Sequence, residues 1–248
     1  MLFELTLFQT LAICFAAFII GMSKTGIQGI TALAIPYMAL AFGAKESTGV
    51  MLPLLCLADV IGVAYYRKSA DLKVVVQLLP AAVVGFFLAI YVDSLIPVSG
   101  FKTLLGATLL LVFAILLWSE YCGKENKYSH TWWYATAFGV LGGFVTMVAN
   151  AAGAVMAIYL LSMHKGKMEF IGTNAWFFMI VNLLKLPLQI FFWDNINWEI
   201  IKLDLCMLPC IFAGATLGFF IVKRFSDKSF RMYIQIVTAI SALLMFLG

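Results

Sequence analysis

The chain has 248 residues, of which 64% are hydrophobic and 11% charged, with a mean hydropathy of +1.03 and a net charge of +4. A soluble domain carries about 25% charged residues, and no soluble interior of this size hides so much apolar surface, so lipid must be the solvent for much of the chain. The basic residues sit in short clusters between apolar runs and form no extended patch, which argues against a nucleic-acid partner.

In chain order, apolar runs predict segments at about 5–22, 29–43, 48–66, 73–92, 101–118, 132–149, 152–163, 172–192, 203–222 and 230–247. The first does not read as a leader peptide, because Glu4 stands where a basic region belongs. Two runs, 29–43 and 152–163, are short, and each follows an interruption: Ser23-Lys24-Thr25-Gly26 and Asn150-Ala151-Ala152-Gly153. If each interruption reverses the chain, eleven basic residues fall on one side and three on the other; if each pair is one fused crossing, the split is eight against six. The positive-inside rule selects ten segments, either as full crossings or with two re-entrant hairpins. The basic side is then cytoplasmic and both termini lie outside.

The halves resemble each other. Leu79-Pro80 through Gly85 matches Leu208-Pro209 through Gly214, and Phe101-Lys102 matches Phe230-Arg231 at the same offset of 129; upstream, at about 124, Gly29 falls on Gly153. Five segments per half insert the second half upside down, the inverted-repeat plan of many secondary carriers. The expected architecture is an all-α polytopic membrane protein of two inverted five-segment repeats, residues 1–122 and 132–248, joined by a cytoplasmic linker at 123–131. Such folds bind substrate near the midplane where broken helices meet.

Charges inside the membrane cost about 2.5 to 3.5 kcal/mol each at a helix centre. Three stand out: Lys24, Asp59 and Lys185. Lys24 is either a snorkelling side chain or an anion ligand, with Ser23, Thr25, Gln28 and Gly29 as neighbouring donors and a helix starting near Gly29. In 172–192, Asn174, Asn182, Lys185 and Gln189 fall within an arc of about 80° at about 100° per residue. Such a stripe faces a cavity or another polar helix. Asp59 either pairs with a lysine or serves as a proton or sodium site. Asn150 is either an N-cap of the second short helix or a substrate donor, and Trp176 either packs or lines the cavity. Trp132, Trp133, Trp193 and Trp198 read as interface anchors, His130 and His164 as exposed loop residues. The five cysteines, Cys14, Cys56, Cys122, Cys206 and Cys210, read as small core residues. No catalytic set, metal-ligand spacing or cofactor motif is visible, so neither an enzyme, a metal nor a cofactor is expected.

The interrupted segments resemble the sulfite exporter TauE/SafE family, also called the toluene sulfonate uptake permeases. The likeness lies in Gly21 through Gly29 with Ile35-Pro36, in Asn150-Ala151-Ala152-Gly153, in Phe170-Ile171-Gly172-Thr173-Asn174-Ala175-Trp176, and in Val181-Asn182-Leu183-Leu184-Lys185. It departs in lacking the glycine-rich run many members carry at the second interruption. The resemblance implies a carrier of sulfite, organosulfonate or a related anion across the bacterial cytoplasmic membrane, often outward. Its expected substrate ligands are Lys24, Thr25, Gln28, Gly29, Asn150, Gly153, Asn174, Trp176, Asn182 and Lys185, with Asp59 as an ion-pair or coupling residue. A cation-coupled carrier or channel for another small anion, such as a carboxylate, is the competing reading.

Overall fold

The computed structural model describes residues 5–27, 29–97, 100–121, 131–163, 165–230, 232, 233 and 236. Every regular element among them is helical. The linker, Gln28, Cys122, His130, His164 and nearly all of the expected tenth segment lie outside the described residues.

The first helix, α1 (Leu7–Thr25), opens on a capping box in which Thr6 accepts from the Gln9 amide and Gln9 reaches back to the Thr6 backbone. After Gly29, whose φ of 91° is left-handed, a 3-10 turn at Ile30–Leu33 leads into α2 (Ala34–Phe42). The expected helix start at Gly29 is therefore a tight turn, with α geometry only from Ala34. Next come α3 (Glu46–Tyr66), α4 (Leu72–Ser94), capped by Asp71, and α5 (Phe101–Tyr121). The second half runs through α6 (Trp132–Ala149), α7 (Ala152–Ser162) and α8 (Lys167–Leu188), which ends in a π turn at Gln189–Trp193. The expected segment 203–222 is two helices, α9 (Trp198–Cys206) and α10 (Leu208–Lys223), bent by 50°. Pro209 lacks the amide hydrogen a continuous helix would use there, but proline alone does not decide the break, since Pro80 holds the matching place inside the unbroken α4.

Among the described residues, five helices are long and apolar enough to cross a membrane, and the bent pair makes a sixth crossing if it is one span. At 1.5 Å per residue, the 11 residues of α7 reach about 16 Å, half of a hydrocarbon core about 30 Å thick. Large apolar side chains such as Phe87, Phe212 and Phe220 are exposed, as a lipid-facing wall requires. Of the four tryptophans at span ends, Trp132, Trp133 and Trp198 are exposed, but Trp193 is buried. It packs edge-on against Phe101 at 5.4 Å and under the Lys45 ammonium at 5.3 Å, while Lys45 pairs with Asp93 at 2.7 Å. A tryptophan at a span end has no sequence mark that separates an interface anchor from a core residue.

The main helix pairings are α1 on α10, α4 on α6, and α3 on α8. Glycines set the first two. A Cβ on Gly21 would overlap the Ile211 carbonyl, and one on Gly214 the Phe18 carbonyl. A Cβ on Gly143 would overlap the Ala82 carbonyl, and one on Gly85 the Val140 carbonyl. Backbones approach this closely in membrane bundles only where side chains vanish.

Candidate functional site

The two interruptions meet. Their residues enclose a small cavity lined by Ser23, Lys24 and Gly29 from the first break, by Thr146, Asn150, Ala151 and Gly153 from the second, and by Asn174, Phe178 and Asn182 from α8. Gly29 and Gly153 face each other, so a side chain on Gly153 would come into ordinary contact with the Gly29 backbone, at 3.6 Å. About 30 Å³ is open, room for roughly two waters.

Each break presents backbone for a different reason. The α1 helix stops at Thr25, whose hydroxyl donates to the Ala215 carbonyl at 2.8 Å and whose own carbonyl accepts from the Tyr66 hydroxyl at 2.8 Å. That leaves Thr25 pinned between α10 and α3, away from the cavity wall. Asn150 ends α6 in the left-handed region, at φ 53°, a conformation asparagine tolerates better than most residues. It does not cap α7. The N-cap position there is Ala151, and among the described residues no side chain bonds to the first turn. The amide groups that open α7 thus carry the positive end of the helix with no capping group, beside the cavity-lining residues Ala151, Gly153 and Ala154.

The charged groups form two connected sets. Lys24 Nζ lies 2.8 Å from Asp59 Oδ1 and 4.3 Å from the centre of the Phe178 ring. The other Asp59 oxygen accepts from Asn182 Nδ2 at 2.6 Å. Lys185 Nζ donates to the Thr146 carbonyl at 2.8 Å, to its hydroxyl at 3.2 Å and to Asn150 Oδ1 at 2.6 Å. Asn150 Nδ2 in turn donates to the Thr48 carbonyl at 3.1 Å. Lys24 is 8% exposed and Asp59 and Lys185 are 0% exposed. No carboxylate pairs with Lys185 among the described residues.

Of the residues singled out from sequence, Lys24, Gly29, Asn150, Gly153, Asn174 and Asn182 line the cavity. Lys185 sits one layer behind, acting on the cavity through Thr146 and Asn150. Trp176 lies against the core, with its ring nitrogen buried and unpartnered among the described residues. The polar stripe of α8 is entirely buried, from Asn174 to Gln189. Thr146 and Phe178 were not singled out from sequence. A threonine and a phenylalanine inside apolar helices carry no signal until the packing partner is known.

Two buried lysines stand against one buried aspartate around a cavity already flanked by a positive helix end, so that with Lys185 protonated one positive charge is left over. A small anion suits such a site, and a cation does not. No curated protein and no solved structure matches the chain significantly. The family model described as "Sulfite exporter TauE/SafE" matches residues 12–245, and the chain therefore belongs to this family of transporters.

Proposed function

We propose that the chain moves a small sulfur-containing anion, sulfite or an organosulfonate, across the bacterial cytoplasmic membrane, outward, by alternating access at the cavity between the two breaks. The observation that carries this reading is the excess of buried lysines, Lys24 and Lys185, over the one buried aspartate Asp59 beside the first turn of α7. Lys24, Asn174 and the α7 amides would contact the anion. Oxygens spread over a tetrahedral face suit several donors around one cation. Lys185 would supply charge from behind and hold Asn150 in place. The outward direction and the sulfur rest on the family.

Two halves of opposite orientation, residues 1–122 and 132–248, would rock about the α3–α8 contact. Reciprocal contacts support this: Gly21 meets Ile211 as Gly143 meets Ala82, and Gly214 meets Phe18 as Gly85 meets Val140. The α1 and α6 partners are 122 apart in both cases, and the α4 and α10 partners 129 apart, the latter being the offset of the Leu-Pro match. Asp59 and Asn182, 123 apart, bond to each other where α3 meets α8, as equivalent residues do across an axis. The cavity has room for waters and not for an anion with three or more oxygens, so the breaks must part slightly to load. The excess of basic residues in the loops at 67–73, 124–127, 165–167 and 223–231 supports a cytoplasmic position for that face.

The test is sulfite counterflow into proteoliposomes holding the purified full chain. Wild type is expected to exchange labelled sulfite for internal sulfite, and Lys24→Met to lose the exchange. Exchange undiminished in Lys24→Met would move the site elsewhere.

A further inference from the structure

Asp204 lies outside the site just described. It sits on α9, next to the 50° bend that separates α9 from α10. It is 0% exposed, and neither carboxyl oxygen has a hydrogen-bond partner among the described residues. A charged carboxylate cannot persist in such a place. Removing it from water without a partner costs many kcal/mol, and the group takes up a proton instead.

Among the described residues the surroundings offer no counter-charge. The elements packed principally against α9 are α3 and α10. Their ionisable residues are Glu46, Cys56, Asp59, Tyr65 and Tyr66 on the first, and Cys210 and Lys223 on the second, while α9 itself carries Glu199 and Lys202, paired with each other, and Cys206. Asp59 is taken by Lys24 and Asn182, Glu46 and Lys223 stand at helix ends, and none forms an ion pair with Asp204.

Packing does not require an aspartate here. The register that lays Leu79-Pro80 on Leu208-Pro209 lays Val75 on Asp204. Val75 is a core residue of α4, 1% exposed. The first half fills the position with an apolar side chain on a continuous helix; the second half has a carboxyl beside a break.

We propose that Asp204 is a proton-binding site that ties proton movement to anion movement, the proton and the anion travelling in the same direction, so that outward transport runs down the anion's own gradient and carries a proton out with it. The proposal rests on the transport reading given above. The Asp204 carboxylate takes a proton from water on the loading side, forming an O–H bond. It is buried as the neutral acid while the anion is enclosed, and returns the proton to water on the other side when the bend at Met207 opens. One proton carried with one monovalent anion moves no net charge, so the enclosed state crosses without electrical work.

Two measurements test this on the full chain in lipid, using wild type and Asp204→Asn. Infrared spectra at neutral pH are expected to show the carbonyl stretch of a protonated carboxylic acid in wild type and its loss in the variant. In proteoliposomes, an imposed pH gradient is expected to drive sulfite accumulation in wild type. The variant should keep sulfite counterflow, which also shows that it folds, but lose the response to the gradient. An infrared band unchanged in Asp204→Asn, or a variant driven by the gradient as wild type is, overturns the proposal. Absence of any sulfite flux in wild type refutes the transport reading instead, and the infrared band still decides whether Asp204 holds a proton.

Discussion

Replacing Asp59 by Asn removes the counter-charge of Lys24 while keeping the shape of the side chain. The pair lies at 2.8 Å, which at an effective dielectric constant of about 20 corresponds to about 6 kcal/mol of attraction before desolvation is counted. Breaking a buried pair from one side costs about 3 to 5 kcal/mol, because the remaining ion is left uncompensated. Asp59→Asn should therefore lose about 3 to 5 kcal/mol of stability in the absence of anions. Lys24→Met combined with Asp59→Asn should lose less than the sum of the two single changes, with a coupling of about 2 to 3 kcal/mol. The assay is unfolding of the purified protein in one detergent, arranged as a double-mutant cycle and repeated with sulfite. Because the freed Lys24 lines the cavity, sulfite should raise the unfolding temperature of Asp59→Asn more than that of wild type. A loss under about 1 kcal/mol, or equal sulfite shifts in the two proteins, would refute the claim that Asp59 holds Lys24 in reserve for an anion.

Asn174 has a buried carbonyl oxygen without a partner among the described residues, so Asn174→Leu should leave thermal stability unchanged or raised while weakening sulfite binding, read by thermal shift against sulfite concentration. Gly143→Val should destabilise the α4–α6 contact by about 3 kcal/mol or prevent folding, since the new side chain meets the Ala82 backbone. Gly106→Ala, in α5 with no described residue within 4 Å of the new methyl, should instead stabilise by about 0.5 to 1 kcal/mol, and unfolding of the two variants side by side checks the contrast. Outside the membrane, the hydrogen bond from Lys165 holds the Asp71 carboxyl below its ordinary value of 3.8. Burial pulls Lys165 down, but its bonds to Asp71 and Glu169 outweigh that and lift it above 10.5. The stability advantage of wild type over Asp71→Asn should thus hold from neutral pH down to about 4, fade as the pH falls through the lowered Asp71 value, and fade at the alkaline end only as the pH rises above Lys165's ordinary value.

The helical period made the α8 stripe legible, because four polar residues at matching angles on an apolar helix define a face whatever they pack against. The two interruptions were legible for a similar reason, since glycine and polar residues between apolar runs cannot continue as lipid-facing helix. What the period cannot give is depth. Lys185 and Asn182 share that face, but one turn along the axis puts Asn182 at the cavity and Lys185 behind Thr146 and Asn150. The left-handed conformation of Asn150 was hidden because asparagine serves equally as an N-cap and as a helix terminator, and only the fold decides. Asp204 falls near the start of the apolar run 203–222, where a single charged residue carries no signal of its own. Its isolation depends on α3 and α10 closing over it, which no local pattern records.

The central claim, that the cavity between the breaks carries a small sulfur-containing anion, is met most directly by sulfite counterflow in proteoliposomes of wild type and Lys24→Met, with acetate and sulfoacetate as competitors. Wild type is expected to show saturable sulfite exchange that sulfoacetate inhibits and acetate does not, and Lys24→Met to lose the exchange. Exchange that survives Lys24→Met, or that acetate blocks as well as sulfoacetate does, would contradict it.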